Sequence, residues 1–377
     1  MTIAAREHVG MGLGSTIGAT PFGHDTYRVS VEQYRQFREH GFLVVRGLVS
    51  AEEVAELREH TEDLMLGRLP EQQGKFMIER DTAGDNSGAT RGIEAPPAHL
   101  SPDEKAQYFL RIHMLHRRLA LHEKYLLQPR VLDVLQILIG PDVLALQTML
   151  FLKPPGKPGQ GWHQDSYYIP TMPDSLCGAW IAIDDCDERN GAMWFAEGSN
   201  VEPVYPPADG YGHGDRGIDK ISYVKGVSDT DDSRNDLARK ADGYPQVLAP
   251  ARAGDVVFFG GHVLHRSKAN HSTDRYRRSF VSHYCNARSF TQWTGGPTDG
   301  AQGARIDPDT GMANSYHILA RGETHLPFAQ PLFGTPCAAT LSPSERRAHA
   351  ESPLAVMGDM DSDMMGVLPS DPTTDHE

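Results

Sequence analysis

The sequence predicts an α+β chain, mainly β, whose second half closes into a sandwich or barrel. Helical patterning falls mainly in about the first 140 of 377 residues, with a brief stretch beyond Leu341, and short β-prone runs separated by Gly, Pro, Asp and Asn fill the 150 after the first 140. The 37 glycines and 26 prolines suit such a chain of short strands and many turns. At roughly 100–200 residues per domain the length allows one large domain or two ordinary ones. A core of that size needs neither disulfides nor a structural metal to hold it.

Residues 1–29 are Gly-rich and aperiodic and read as a flexible arm. Ser30 then opens SVEQYRQFREHG, with Val31, Tyr34 and Phe37 at helical spacing and Gly41 as a stop. Phe42–Val45 reads as a short buried strand. Ser50 and Glu53 form a capping box at the head of a second amphipathic helix. Residues 81–97 are turn-rich and structureless by pattern, and residues 102–140 read as two further helices ending near Gly140. LALQTMLFLKPPG, GAWIAID, GAMWFAEGS, DVVFFGG and RRSFVSHY follow as strands. A charged, Gly-rich insertion at 206–243 interrupts them as a lid-like loop. Beyond 341 the chain is polar, acidic and Pro-punctuated, the composition of a disordered tail. The reading is therefore one domain over 30–340, with a helical part (30–140) and a β core (141–290).

Thirty-six Lys and Arg stand against 50 Asp and Glu, a net charge of −14. Seven of the acids, and no Lys or Arg, fall in residues 351–377, so the body is only mildly acidic. Without clustered basic residues, nucleic acid is not an expected partner. Four widely spaced cysteines lack a CxxC pair and make a poor disulfide framework. The N-terminus lacks the basic start and apolar run of a signal peptide, and no apolar stretch approaches the ~18 residues of a membrane span. A soluble, cytoplasmic protein with reduced thiols, acting on a small molecule, is the expectation; the oligomeric state is open.

Among 18 histidines, those with ligand company matter. GWHQDSYY places His163 and Asp165 two apart, and residues i and i+2 of a strand or its extension project from one face. An imidazole and a carboxylate so placed can grip one metal ion, and a second His would complete the 2-His-1-carboxylate arrangement suited to non-haem Fe(II). An HxD alone is common. About a hundred residues later, AGDVVFFGGHVLHRSKANHSTDRYRRSFVSHY supplies His262, His265 and Ser267, then a strand opening near Arg277.

This combination resembles the phytanoyl-CoA dioxygenase-like family of Fe(II)/2-oxoglutarate oxygenases. QFREHGFLVVRGLVSAEEVAELREHT is similar to that family's N-terminal helix–strand–helix, FLKPPGKPGQGWHQD to its approach to the metal strand, and GAWIAIDDCDERNGAMWFAEGSN to its next two strands. The likeness spans roughly residues 31–287. It implies a double-stranded β-helix (jelly-roll, cupin-like) core with N-terminal and flanking helices. It further implies Fe(II) held by His163, Asp165 and His265, with 2-oxoglutarate and O2 as cosubstrates.

The family's cosubstrate-anchoring Arg, eleven residues past the second His, would fall on Tyr276. Matching RRSFVSHY to the family strand favours Arg277, with Arg275 second. Ser267, Gln147 and Trp180 match positions that border the cosubstrate, and Tyr167, Tyr168 and His262 are candidates for the substrate pocket. His283 reads as structural or solvated unless its strand face points inward, and Lys153, in a Pro-Gly-rich turn, as solvated. Related halogenases carry a small residue in place of Asp165, so the resemblance implies hydroxylation or another oxidation over halogenation. The expected activity is hydroxylation of an unactivated C–H bond of a small polar molecule, amino-acid-like or a natural product, releasing succinate and CO2. The alternatives are a cupin-like metal enzyme that does not use 2-oxoglutarate, or a non-catalytic binding relative.

Overall fold

The computed structural model describes residues 18–19, 25–73, 79–80, 89–91, 95–205, 224–291, 305–306, 313–314 and 317–324. Contacts divide the chain into Met1–Ala338 and Ala339–Glu377. The predicted acidic tail, and residues 206–223 of the insertion, lie outside the described residues.

The strands of the two main sheets are β1 (Phe42–Val45), β2 (Glu79–Arg80), β3 (Ala89–Arg91), β4 (Arg111–His113), β5 (Val143–Lys153), β6 (Gln160–His163), β7 (Cys177–Ala182), β8 (Met193–Ala196), β9 (Gln246–Ala249), β10 (Val256–Gly260), β11 (His265–Ser267), β12 (Arg277–Asn286) and β13 (Ile318–Arg321). A nine-stranded sheet runs β1-β10-β7-β12-β5-β4-β3-β2, with β13 also on β5; a four-stranded sheet runs β9-β8-β11-β6. Two mainly antiparallel sheets face each other as a jelly roll.

The larger sheet's central strands read as nearly unbroken apolar runs because both faces are covered. Leu43, Leu150, Ile181 and Phe280 point one way, into a core shared with the helices α1 (Val31–His40), α2 (Ala51–Leu66) and α5, which is Pro129–Leu138. Their neighbours Phe42, Met149, Trp180 and Val281 point the other way, into the space between the sheets, and meet Phe195 and Met193 of β8. Both predicted capping residues act: Ser30 and Ser50 accept the backbone N–H groups of Gln33 and Glu53, whose side chains return the bond.

Four elements depart from the sequence reading. The arm is anchored at its end, because Tyr27 is buried in the helical core and its N–H donates to the Asp133 carboxylate at 2.7 Å. Residues 89–91 of the turn-rich segment form β3, parallel to β4. Residues 102–140 hold three short helices, α3 (Pro102–Ala106), α4 (Ala120–Leu126) and α5, with β4 between the first two. An amphipathic run with Arg111 and His113 on alternate positions satisfies its backbone on the free edge of β5 instead of its own turns. Finally, β13 extends the larger sheet past residue 290.

The later part of the insertion is built into the body. Its helix, Asp236–Ala241, packs Leu237, Ala238 and Ala241 against Trp162 of β6. Asn235 donates to the Trp162 carbonyl at 2.9 Å. Gly161 permits this approach, since a Cβ there would fall 1.8 Å from the Asp229 carbonyl oxygen. No helix among the described residues is long and apolar enough to cross a membrane. Cys177, Cys186 and Cys285 are free and buried, while Cys337 lies outside the described residues.

Candidate metal centre

β6 and β11 pair so that His163 and His265 stand directly opposite each other. Their rings lie 4.1 Å apart, centroid to centroid. β6 ends at His163, and Asp165 opens a single helical turn, Asp165–Tyr168, that folds its carboxylate back. Asp165 Oδ1 lies 3.5 Å from His163 Nε2 and 3.6 Å from His265 Nε2. The three side chains offer ligand atoms all within 4.8 Å of one another, and among the described residues no other such His, Cys, Asp and Glu group occurs.

Backbone carbonyls orient both imidazoles. His163 Nδ1 donates to the Gly161 carbonyl at 2.8 Å, and His265 Nδ1 to that of Val263 at 3.0 Å. That leaves each Nε2 without a proton and aimed at the shared point, the tautomer that a metal requires. Burial, with His265 alongside, pulls the pKa of His163 down to about 3 against the opposing influence of Asp165. Burial alone would raise Asp165, but His265, His283 and His163 together hold its carboxyl well below the usual carboxylate range.

The inner face of the larger sheet forms the opposite wall. Lys153 of β5 and Arg277 of β12 pair directly in register, and both are buried. Arg277 lies 5.8 Å from the ring centroids of Trp180 and Phe151. Its Nη1 donates to Ser279 Oγ at 3.2 Å, and its Nε has no partner among the described residues. Lys153 Nζ donates to Ser267 Oγ at 3.0 Å and to the Lys268 carbonyl at 2.7 Å. Among the described residues no carboxylate forms an ion pair with either cation. Arg275 differs: it is half-exposed and holds Asp187 with both oxygens, at 2.9 and 3.0 Å.

The phytanoyl-CoA dioxygenase (PhyH) family model matches residues 37–279. The chain belongs to the phytanoyl-CoA dioxygenase family. It is a 2-oxoglutarate-dependent dioxygenase that works with Fe(II) and O2. The rat (Rattus norvegicus) protein named peroxisomal phytanoyl-CoA dioxygenase is 28% identical over 266 residues, 69% of each chain. A Caenorhabditis elegans protein named probable phytanoyl-CoA dioxygenase is 28% identical over 277 residues, 71% of this chain and 79% of that one. In fold, the chain is similar to the non-haem α-ketoglutarate-dependent carbocyclase SnoK of nogalamycin biosynthesis, with TM-score 0.50 and 21% identity over 72% of this chain and 88% of that one.

The residues fit what this family uses. Two neutral imidazoles and an ionised carboxylate are a donor set for Fe(II). A buried guanidinium with an unpaired N–H and no counter-ion is costly unless an anion joins it. A dicarboxylate with one end beside Arg277 and Lys153 would supply that anion. Burial pulls Arg277 down to about 10, which leaves it charged at neutral pH.

The other predicted site residues fall in distinct places. Trp180 lies beneath Arg277, and Ser267 beside Lys153. Gln147 is buried, but its amide nitrogen is engaged by His283 Nδ1 at 3.0 Å and by Met149 Sδ at 3.4 Å. Tyr168 stands with its ring 6.2 Å from that of His163 and its hydroxyl 2.8 Å from Ser228 Oγ, and Tyr167 packs edge-on against it. His262 is outside the metal cluster: its Nδ1 donates to the Glu202 carbonyl at 2.8 Å, and its Nε2 faces Asp174 at 3.4 Å.

Two further residues stand at the centre, Lys153, which the sequence places in solvent, and His283, whose inward face the sequence leaves open. Lys153 is buried because the Pro-Gly turn after it folds against the Asn270 segment, Gly156 N–H donating to the Asn270 carbonyl at 2.8 Å. His283 points inward and meets Asp165 at 2.7 Å. Alternation from Arg277 predicts that inward face, since positions 277, 279, 281 and 283 share one side of a strand.

Proposed function

We propose that the protein hydroxylates an unactivated C–H bond of a small polar molecule, with succinate and CO2 as co-products. Two neutral imidazoles and an ionised carboxylate, converging opposite Arg277 and Lys153, which have no acid paired to them among the described residues, carry this reading. His163, Asp165 and His265 would hold Fe(II), and Arg277, with Lys153 and Ser267, would take the distal carboxylate of 2-oxoglutarate. When bound, iron, 2-oxoglutarate and O2 together supply the oxidising power for C–H cleavage. The chain's own part is to present neutral Nε2 atoms, keep Asp165 ionised and seat the cosubstrate's charge on a buried cationic pair. Asp165 also fills the ligand position that halogenation would need vacant.

Support for a polar substrate comes from the rim. β4 brings Arg111 and His113 in register with Phe151 and Met149 of the inner face, and Arg111 lies near enough to depress the His163 pKa. On the other side stand the hydroxyls of Tyr168 and Ser228, and His262 with Asp174. Such a wall suits hydrogen-bonding groups better than a fatty chain.

The test is aerobic incubation with Fe(II), ascorbate, 2-oxoglutarate and a panel of amino acids, small hydroxy acids and medium-chain acyl-CoAs, reading succinate and product mass. Succinate coupled to a gain of one oxygen atom in a polar compound supports the proposal. Coupling to the acyl-CoAs alone contradicts the substrate class, and turnover independent of 2-oxoglutarate contradicts the reaction.

A further inference from the structure

Asp165 uses its two oxygens differently. Oδ1 faces His163 Nε2 and His265 Nε2, whereas Oδ2 is turned to His283 Nε2 at 2.7 Å. His283 is buried on the inner face of β12, and its other nitrogen, Nδ1, meets Gln147 Nε2 at 3.0 Å. Gln147 lies directly across from it on β5. The next pair is Tyr284 with Ala145, so β5 carries an extra residue, Leu146, immediately beyond. Bulges of this kind commonly re-aim side chains beside active sites.

The proton assignment follows from donors and acceptors. An ionised Asp165 can only accept, so His283 Nε2 carries the hydrogen. In the neutral ring Nδ1 is then an acceptor and needs a donor opposite, which the Gln147 amide nitrogen provides. Gln147 is thereby committed to His283 and Met149, and its Oε1 has no partner among the described residues. 2-Oxoglutarate carries acceptors only at neutral pH and cannot satisfy that oxygen. These facts move Gln147 away from the cosubstrate contact that its position in the family implies.

We propose that His283 is a positioning residue. It holds Oδ2 of Asp165 so that Oδ1 alone is presented to the metal, and Gln147 fixes the tautomer in which His283 can do so. The inference rests on the Fe(II)/2-oxoglutarate reading above. Outer partners of metal ligands typically change metal affinity by about 10–100-fold when removed.

The test is anaerobic Fe(II) titration of the full-length protein with saturating 2-oxoglutarate, reading both the Fe(II) dissociation constant and the position of the visible charge-transfer band. Thermal unfolding of each apo-protein runs alongside. His283→Leu is expected to weaken Fe(II) about 10–100-fold and to shift the band. His283→Gln, which can return an N–H to Asp165, is expected to recover most of both. Gln147→Met is expected to move both readouts in the same direction by less, and to add little on top of His283→Leu. Wild-type affinity and an unshifted band in folded His283→Leu would overturn the proposal. If that variant does not fold, unchanged values in Gln147→Met overturn it instead. Failure of the wild-type protein to form the band would contradict the cofactor reading, a result distinct from either.

Discussion

Lys153 and Arg277 face each other directly across β5 and β12, two buried cations in register with no acid paired to either among the described residues. Side-by-side like charges inside a protein are unfavourable unless something offsets them. The inner surface of the jelly roll is thus prepared for an anion, a few residues along each strand from the groups that face the metal ligands.

Arg277→Ala should raise the apparent KM for 2-oxoglutarate by about a hundredfold, the loss expected when one member of a buried charge pair is removed. Arg277→Lys should recover little, because an ammonium does not reproduce the planar fork. Arg275→Ala removes an exposed ion pair with Asp187 worth under about 1 kcal/mol and should leave KM within about twofold. Steady-state succinate kinetics on the three variants check the ranking. A larger effect at Arg275 would move the anchor.

Lys153→Met should separate affinity from stability. The substitution keeps much of the side chain's length while deleting a cation whose pKa is lowered well below its usual value, by burial first and then by Arg277. The apo-protein's Tm is expected to hold or rise, while 2-oxoglutarate binding weakens about tenfold. Calorimetry in the absence and presence of 2-oxoglutarate reads both; a lower apo Tm with unchanged binding would return Lys153 to a structural role.

Gly161→Ala tests how the insertion is tied to the metal strand. The added Cβ would lie 1.8 Å from the Asp229 carbonyl oxygen, so the 228–229 loop must retreat. Overpacking of this kind costs about 1–3 kcal/mol. Because Gly161 also supplies the carbonyl that orients His163, Fe(II) binding should weaken in parallel. Chemical denaturation and iron titration together check this.

Acid sensitivity should arise partly in the helical region. His122 is buried against Phe280 and His60, and its pKa is held well below 6.5, chiefly by burial and then by His60 and His116. The unfolded chain therefore takes up a proton below pH 6.5 that the folded chain refuses. Stability from this group is present above that pH and falls by up to about 1.4 kcal/mol per unit below it, until the folded pKa is reached. In the apo-protein, His122→Leu should remove that share of the slope between pH 6.5 and 5.5 in urea unfolding. An unchanged slope would contradict it.

The legible part of this protein was the part written in short-range pattern. His163 and Asp165 two apart, apolar runs broken by turns, and Ser–x–x–Glu at a helix start each depend on a few neighbouring residues. β4 was hidden because Arg111–His113 takes its hydrogen bonds from Met149–Phe151, some 38 residues away, and no local periodicity records an edge that needs a partner. The same reason hid Lys153, buried by a turn that closes on Asn270. Alternation placed His283 on the inner face, yet only the pairing of β5 with β12 put Gln147 opposite it and the carboxylate of Asp165 above it.

The metal centre is tested most sharply by an anaerobic titration of the apo-protein with Fe(II) and 2-oxoglutarate, with His163→Ala, Asp165→Ala and His265→Ala as controls. A visible charge-transfer band is expected that requires both components, with one iron per chain, and that is absent in all three variants. Stoichiometric iron and an intact band in any of the three would contradict that ligand set.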